Sequence, residues 1–361
     1  MKDREDKPAA SAALANRGSE KKRLSLALQG GGSHGAFTWG VLDRLLEEPS
    51  LEIEAISGTS AGAMNAAVLA HGLMAGGPAA AKAALRDFWL SVSKAGESVF
   101  DASRFFSEWP AVKNLASIWS DAVTHVWSPY DNPLYTNPLR DLVTAAIDFE
   151  RLHKCVKPRI FVCATNAKTN ARRIFTGPEL SADALLASAC IPTVFQAVEV
   201  DGEYYWDGGY MGNPALEPLL DFCQDILIVE VNALHREEIP KRADDIVNRL
   251  NEITFNSALV QEIRTINTMN KLLKAGKLVN TAYKPIRFHA IGAEQEMSSL
   301  GVRSKNNTDW EFLVHLHEVG RSSAQGWLED PDKFAKVGRE CTIDVEEKFV
   351  RRSLRPARSN R

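Results

Sequence analysis

The 361-residue sequence lacks any apolar run that approaches the roughly 20 residues of a membrane-spanning helix. Its net charge is only −3, which gives no general attraction to nucleic acid or anionic lipid. Cysteine is scarce and odd in number, and its spacing is not that of a metal site. We therefore expect no bilayer-spanning segment, no nucleic-acid partner and no disulfide framework, and we interpret the cysteines as reduced core residues in a reducing compartment. They are Cys155, Cys163, Cys190, Cys223 and Cys341.

The ends of the sequence differ in character from its middle. Residues 1–22 mix charged and small residues without the apolar segment of a signal peptide, which predicts a disordered leader. Residues 23–335 have the mixed composition of a globular domain. From Arg351 onward the sequence contains five arginines and no acid, so we expect residues 336–361 to form a basic C-terminal tail.

Hydrophobic periodicity predicts an α/β fold. Strands at 22–28 and 51–57 alternate with amphipathic or apolar helices at 35–47 and 61–73, and short connections join them. This β-α-β-α order is typical of a parallel sheet covered by helices. Further predicted elements follow along the chain: strands at 159–166, 172–176, 225–231 and 284–291, and helices at 181–189, at about 243–274 and at 308–328. The apolar spacing of Ile246, Leu250, Ile253, Ile263 and Ile266 predicts that the 243–274 helix packs on the core.

A segment at about 99–137 interrupts this pattern. It is dense in aromatic residues but broken by prolines, which indicates a helical insertion beside the core. Two interpretations stay open, a lid or funnel for acyl chains and a helical subdomain with its own aromatic core.

Residues 58–62 read GTSAG, directly after a predicted strand and before an Ala-rich predicted helix. In this context the G-x-S-x-G pattern describes a sharp turn that presents a nucleophilic serine at the edge of a sheet. Gly58 and Gly62 allow the turn. The pattern makes Ser60 a candidate nucleophile, and a serine hydroxyl needs a base to activate it.

A glycine-rich segment, residues 30–35 (GGGSHG), follows the first predicted strand. It also fits the G-x-G-x-x-G pattern of dinucleotide-binding folds, but those folds need an acid at the end of the second strand. In this sequence the Ser60 turn occupies that place. Loop amides without side chains suit stabilisation of an oxyanion better, so acyl transfer is favoured over dinucleotide binding.

Two kinds of base are compatible with the sequence. His235 and His289 follow or lie within predicted strands and could complete a triad with Ser60. Asp207 is the stronger candidate, because it ends an aromatic strand directly before Gly208 and Gly209, which would leave its carboxylate accessible.

Four motifs in this order resemble the patatin-like phospholipase family: residues 30–35 (GGGSHG), 58–62 (GTSAG), 187–192 (ASACIP) and 207–209 (DGG). The resemblance covers about residues 23–290. It implies a three-layer α/β/α sandwich with a mainly parallel central sheet. It also implies a Ser60–Asp207 dyad without histidine, an oxyanion hole formed by the N–H groups of Gly31, Gly32 and Ser33, and no metal or other cofactor. The supporting motif residues are Gly30, His34, Gly35, Gly58, Gly62, Gly208 and Gly209.

The resemblance implies hydrolysis of fatty acyl ester bonds in lipids, of the phospholipase A or lipid acyl hydrolase type. The expected partner is a lipid substrate at a membrane surface, and the expected location is the cytoplasm, with peripheral membrane contact. Two alternatives stay open. One is an esterase or thioesterase acting on small or polymeric esters, and the other is a regulatory module that keeps the fold without turnover.

One residue departs from the family pattern. His34 stands where the family usually has arginine or lysine. A histidine is only partly protonated at neutral pH, so the charge that a permanent cation would supply near an oxyanion or a phosphate becomes uncertain.

Overall fold

The computed structural model describes residues 21–107, 128–131, 137–236, 238–279, 281–300 and 302–351. Almost all of the leader predicted at 1–22 lies outside the described residues. So do most of the insertion predicted at about 99–137 and the last ten residues of the predicted tail.

The described chain forms one eight-stranded sheet in the order β5-β6-β3-β2-β1-β7-β8, with β4 paired to β3. Strands β3, β2, β1, β7 and β8 run parallel to one another, while β4 and β6 are antiparallel to β3. The sequence therefore predicted a mainly parallel sheet correctly, and it missed the short edge strand β5. The strands are β1 (Lys22–Leu28), β2 (Leu51–Gly58), β3 (Arg159–Asn166), β4 (Arg172–Thr176), β5 (Val198–Val200), β6 (Glu203–Asp207), β7 (Asp225–Glu230) and β8 (Arg287–Gly292).

Helices cover both faces of the sheet. The second helix is longer than the sequence indicates, and it is interrupted by non-helical backbone at Gly76 and Gly77. Within the described residues, no helix is both long enough and apolar enough to cross a bilayer. The helices are α1 (Gly35–Leu45), α2 (Ala61–Ser107), α3 (Leu139–Ala146), α4 (Phe149–His153), α5 (Ala182–Ser188), α6 (Ala243–Lys274), α7 (Glu294–Ser299) and α8 (Trp310–Glu329).

Alternation along the central strands divides the core into two layers. On β1, Leu24, Leu26 and Leu28 point to a cluster shared with α1, α2, α5 and α8. Ala27 points to the other face, where α6 covers the sheet together with Val345 and Phe349 from the end of the described chain. The expected three-layer α/β/α sandwich is confirmed.

Strand β3 brings two distant parts of the chain together along one of its edges. Gly58 at the end of β2 pairs with Val162, and Asp207 at the end of β6 pairs with Ala164. Because β4 pairs with residues 161–165 of β3 and fills the opposite edge, β2 and β6 must share the remaining one. They approach each other from opposite directions and end almost head to head.

The other end of the sheet carries a buried ion-pair cluster. Asp225, the first residue of β7, accepts two hydrogen bonds from Arg287 (2.9 and 2.5 Å) and one from His289 (3.0 Å). These partners hold the pKa of the Asp225 carboxyl well below its usual range, although burial alone would raise it. The expectation that His289 could complete a triad is wrong, because its ring is bound to Asp225 at the end of the sheet opposite Ser60.

We expect Asp225→Asn to lower the free energy of unfolding by about 3 kcal/mol, because it leaves the partly buried Arg287 guanidinium without its counter-charge. Denaturant unfolding measures this change. The difference from the unaltered protein should shrink below about pH 4, since a carboxyl with a depressed pKa contributes its full stability only above the unfolded-state value and loses it as the pH falls through the folded-state value. The control is Asp330→Asn, which removes a solvent-screened pair with Lys333 and should cost far less. Equal losses in both variants would contradict the prediction.

Candidate active site

Ser60 lies in a tight turn between β2 and α2. Its φ angle is +54°, a left-handed conformation that is unfavourable for a residue with a side chain. The neighbouring backbone leaves no room for larger residues: a β-carbon on Gly58 would lie 2.6 Å from the Gly62 carbonyl oxygen, and one on Gly62 would collide with the Leu28 carbonyl. The turn therefore fixes the serine side chain where the parallel strands β1 and β2 end.

A second serine holds this turn in place. The Ser60 backbone N–H donates to the hydroxyl of Ser188, the last residue of α5, over 2.9 Å. Ser188 belongs to the ASACIP motif, to which the sequence alone assigns no role. Its hydroxyl supplies the partner that the strained turn would otherwise lack.

Asp207 reaches the same place from β6. Its backbone N–H donates to the Cys190 carbonyl (2.8 Å), and the Thr165 hydroxyl donates to its carbonyl (2.9 Å). The side chain is completely buried, and its Oδ1 accepts the Gly209 N–H over 2.7 Å. Its Oδ2 has no hydrogen-bond partner among the described residues. Buried carboxylate oxygens without a partner are rare in folded proteins.

Burial raises the pKa of Asp207 to about 7. The Gly209 N–H, the Ser60 hydroxyl and the Lys305 ammonium all act in the opposite direction, but together they are weaker than the cost of desolvating the charge. The Ser60 hydroxyl is near enough to lower this pKa without meeting hydrogen-bond geometry at Oδ2. Such contacts are commonly long in ligand-free sites and tighten when substrate binds.

The glycine loop lies between β1 and α1, beside the Ser60 turn. A β-carbon on Gly30 would lie 2.6 Å from the Thr59 carbonyl oxygen and 2.7 Å from Ser60 Cβ, so only glycine allows this approach. Gly32 has a φ of +59°, and a side chain there would collide with the Lys305 carbonyl. Among the described residues, the N–H groups of Gly31 and Gly32 donate to no other group, while the Gly30 N–H is bound by Asn213 (2.6 Å).

Buried amide side chains fix the glycine loop from behind. The Asn232 Nδ2 donates to the Gly30 carbonyl (2.7 Å). Gln29 accepts the backbone N–H groups of Val231 (2.9 Å) and Asn232 (3.0 Å), and it donates to Asn256 on α6 (3.0 Å). These bonds connect β1, the end of β7 and α6 in one rigid network.

His34 does not supply a cation to the site. Its ring is buried and hydrogen-bonded to the Ser304 hydroxyl (2.8 Å). Burial and the neighbouring Lys305 ammonium lower the pKa of His34 to about 4, so the imidazole is neutral at pH 7.

Lys305 provides a positive charge behind the glycine loop. It lies on a short 3-10 helix at Val302–Asn306, and its Nζ donates to Asn232 Oδ1 over 2.9 Å. Burial lowers the pKa of Lys305, while Glu252 and Asp207 act to raise it. Sequence reasoning missed this residue because it lies far downstream in a polar segment without a motif. The missing basic residue at position 34 was the one available hint.

The structure brings the main predicted site residues together. Ser60, Asp207, the loop of residues 30–35 and the turn at Gly208 and Gly209 meet where β1, β2 and β6 end. His235 lies elsewhere, with its ring against the Lys348 carbonyl. Two buried thiols adjoin Asp207, and burial raises the pKa of Cys163 and of Cys190 to about 12. Within the described residues, no group of three or more His, Cys, Asp or Glu side chains could hold a metal ion.

Comparison with known proteins gives the family of the chain. The family described as "Patatin-like phospholipase" matches residues 26–220, more than half of the chain. The chain belongs to the patatin-like phospholipase family. Membership supports a general activity as a lipid acyl hydrolase. The matched range contains Ser60, Asp207 and the whole glycine loop.

Other comparisons add little. Among solved structures, VipD from Legionella pneumophila is similar at 16% identity and a TM-score of 0.38, with 92% of this chain and 73% of that chain covered. No curated protein matches the sequence.

We expect Ser188→Ala to displace the Ser60 turn and to lower activity. The change leaves the Ser60 N–H without its partner, which should cost about 1–3 kcal/mol of stability and displace the turn. Steady-state kinetics with a soluble ester should give a lower kcat with little change in KM. Ser181→Ala at the start of the same helix is the control, because it removes a cap for Ala184 at a distance from Ser60 and should lower stability alone. Equal kinetics in both variants would refute a role for Ser188 in the turn.

Proposed function

We propose that this protein hydrolyses fatty acyl esters of lipids, with Ser60 as nucleophile and Asp207 as general base. The observation that carries the proposal is the Asp207 carboxyl, which is fully buried beside Ser60 and has one oxygen without a hydrogen-bond partner. Its pKa of about 7 makes it a far better base at neutral pH than an exposed aspartate.

The reaction proceeds in two steps. Asp207 takes the hydroxyl proton of Ser60 as the serine oxygen attacks the ester carbonyl carbon. The tetrahedral intermediate then collapses, the leaving alcohol receives the proton from Asp207, and the acyl group stays on Ser60. In the second step Asp207 deprotonates a water molecule that attacks the acyl-serine, and the proton returns to Ser60 as the fatty acid leaves.

The negative charge that develops on the carbonyl oxygen needs donors that are in place before the reaction. The N–H groups of Gly31 and Gly32 fit this role because they are not engaged by other described groups, and Ser33 is the third candidate. Loss of one such donor typically costs about 10² to 10³ in rate. Lys305 adds a positive charge behind the loop through Asn232.

The Asp207 environment also argues against a module without turnover. A buried carboxyl with a raised pKa destabilises the folded protein once the pH exceeds the pKa of the unfolded chain. A protein that needed only the fold would gain stability from an uncharged residue at this position. Features of this kind persist mainly where function requires them.

The proposal is tested by labelling and by a substrate panel. A fluorophosphonate probe should label the wild type and not Ser60→Ala. Ser60→Ala and Asp207→Asn should each lower kcat by at least about 10³ on phospholipids, acylglycerols and long-chain p-nitrophenyl esters. Activity confined to short or polymeric esters would favour the esterase alternative. Folded protein that neither reacts with the probe nor hydrolyses any of the panel would favour the silent module.

The pH dependence of kcat/KM should reflect the ionisation of the Asp207 carboxyl and the effect of the Lys305 ammonium on it. We expect kcat/KM to rise with pH through about 7, because the base must be deprotonated. Lys305→Met should move this limb to higher pH, since the ammonium favours the carboxylate form, and Lys305→Arg should restore it. The control is Lys348→Met, whose ammonium pairs with Glu230 (2.5 Å) and should leave the limb in place. An unmoved limb in Lys305→Met would rule out this electrostatic role.

A further inference from the structure

The first half of α6 presents its apolar side chains to solvent. Ile246, Val247, Leu250 and Ile253 are 42%, 41%, 58% and 51% exposed, and their spacing places them on one side of the helix. We call these four residues the aliphatic stripe. The sequence predicted that Ile246, Leu250 and Ile253 pack on the core, and this expectation is wrong for all three.

The buried side of the same helical turns is polar. Asn248, Glu252 and Asn256 recur at intervals of four residues and are almost completely buried. Beyond Asn256 the buried side of the helix is apolar, with Leu259, Ile263 and Ile266 packed against the sheet. The helix is therefore reversed in polarity over its first half only.

Buried polar contacts fix this orientation. Glu252 accepts two hydrogen bonds from Arg236 (3.0 and 2.7 Å) and one from Arg249 (3.1 Å). Asn256 accepts the amide of Gln29 in the network behind the glycine loop. Rotating the helix to bury the stripe would separate the buried Glu252 carboxylate from the Arg236 guanidinium, which lies outside the helix, and this is strongly unfavourable. The exposure of the stripe is thus imposed by the fold.

The helix that carries the stripe also packs on the candidate active site. Phe255, on the same helix, packs against Gly209 in the turn after Asp207, and its ring centroid lies 5.3 Å from that of Tyr210. Ile253 and Phe255 are two residues apart and therefore lie on nearly opposite sides of the helix. The stripe thus faces away from this turn, on the helix that supports it.

We propose that the aliphatic stripe is the surface with which this protein docks on a zwitterionic lipid surface, its side chains entering the boundary between headgroups and acyl chains. This inference rests on the lipid substrate of the proposed function. An interfacial helix of this type lies in the plane of the membrane with its apolar side inward.

The size of the stripe and the charges beside it favour a lipid surface over another protein. Four half-exposed aliphatic side chains offer a few hundred Å², well below the roughly 800 Å² per partner of a stable protein interface. The sequence directly before the stripe has four acidic residues, Glu237, Glu238, Asp244 and Asp245, against two basic ones, Lys241 and Arg242. This excess of acid gives no attraction to anionic headgroups, which favours a zwitterionic surface such as phosphatidylcholine.

The test measures binding separately from turnover. In the Ser60→Ala protein, the fraction that floats with phosphatidylcholine vesicles should fall by about tenfold or more after Leu250→Gln and Ile253→Gln. The matched control carries Val156→Gln and Val279→Gln, two exposed valines near the opposite end of the sheet, and should bind as before. With Ser60 intact, the stripe variant should keep its kcat/KM on p-nitrophenyl butyrate and lose activity on the vesicles.

Three results would overturn the proposal. The first is equal flotation of the stripe and control variants. The second is a dimer in light scattering that the stripe substitutions dissociate, which would make a second copy the occupant. The third is a lower melting temperature in the stripe variant than in the control, which would mean that the chain itself covers the stripe. If soluble ester hydrolysis persists in each case, the docking inference fails while the esterase chemistry of the proposed function stands.

Discussion

Removal of the Asp207 carboxyl from water is the interaction on which the rest of the site depends. Desolvation raises its pKa to about 7, and every nearby donor or cation weakens that effect. The structure limits those partners to the Gly209 N–H on one oxygen, the Ser60 hydroxyl and the more distant Lys305 ammonium. A fully solvated or fully hydrogen-bonded aspartate at the same position would be a weak base. The burial of the Asp207 carboxyl is therefore what enables it to act as the proposed base.

The polar network around the glycine loop holds the loop in place. A loop that leaves backbone N–H groups free for a substrate cannot use them to hold itself in place. The Gly30 carbonyl instead accepts hydrogen bonds from Asn213 and Asn232, and the preceding residue Gln29 is bound to Val231, Asn232 and Asn256. That network accounts for Asn256 on the buried side of α6, and ion pairs with Arg236 and Arg249 account for Glu252. The apolar residues of those turns are left on the outside as a consequence.

Much of the fold and of the candidate site could be predicted from the sequence. Alternating and helical hydrophobic patterns predicted most strands and the long helices, because these elements depend on local sequence. The motifs made Ser60 and Asp207 the candidate nucleophile and base. The role of Lys305 could not be predicted, because its position depends on a tertiary contact with Gly32. The reversal of α6 was also missed. Apolar spacing indicates which residues share a side of a helix, but the buried ion pair at Glu252 decides which side faces the protein.

The head-to-head arrangement of β2 and β6 on β3 has a consequence for how such proteins can diverge. The separation of Ser60 and Asp207 is set by two pairings with neighbouring positions of β3, Val162 and Ala164, and not by the long stretches of chain between them. Insertions between α2 and β3 can lengthen, shorten or change composition without altering the spacing of the two side chains. The composition of that segment can therefore change independently of the two side chains that we propose to react.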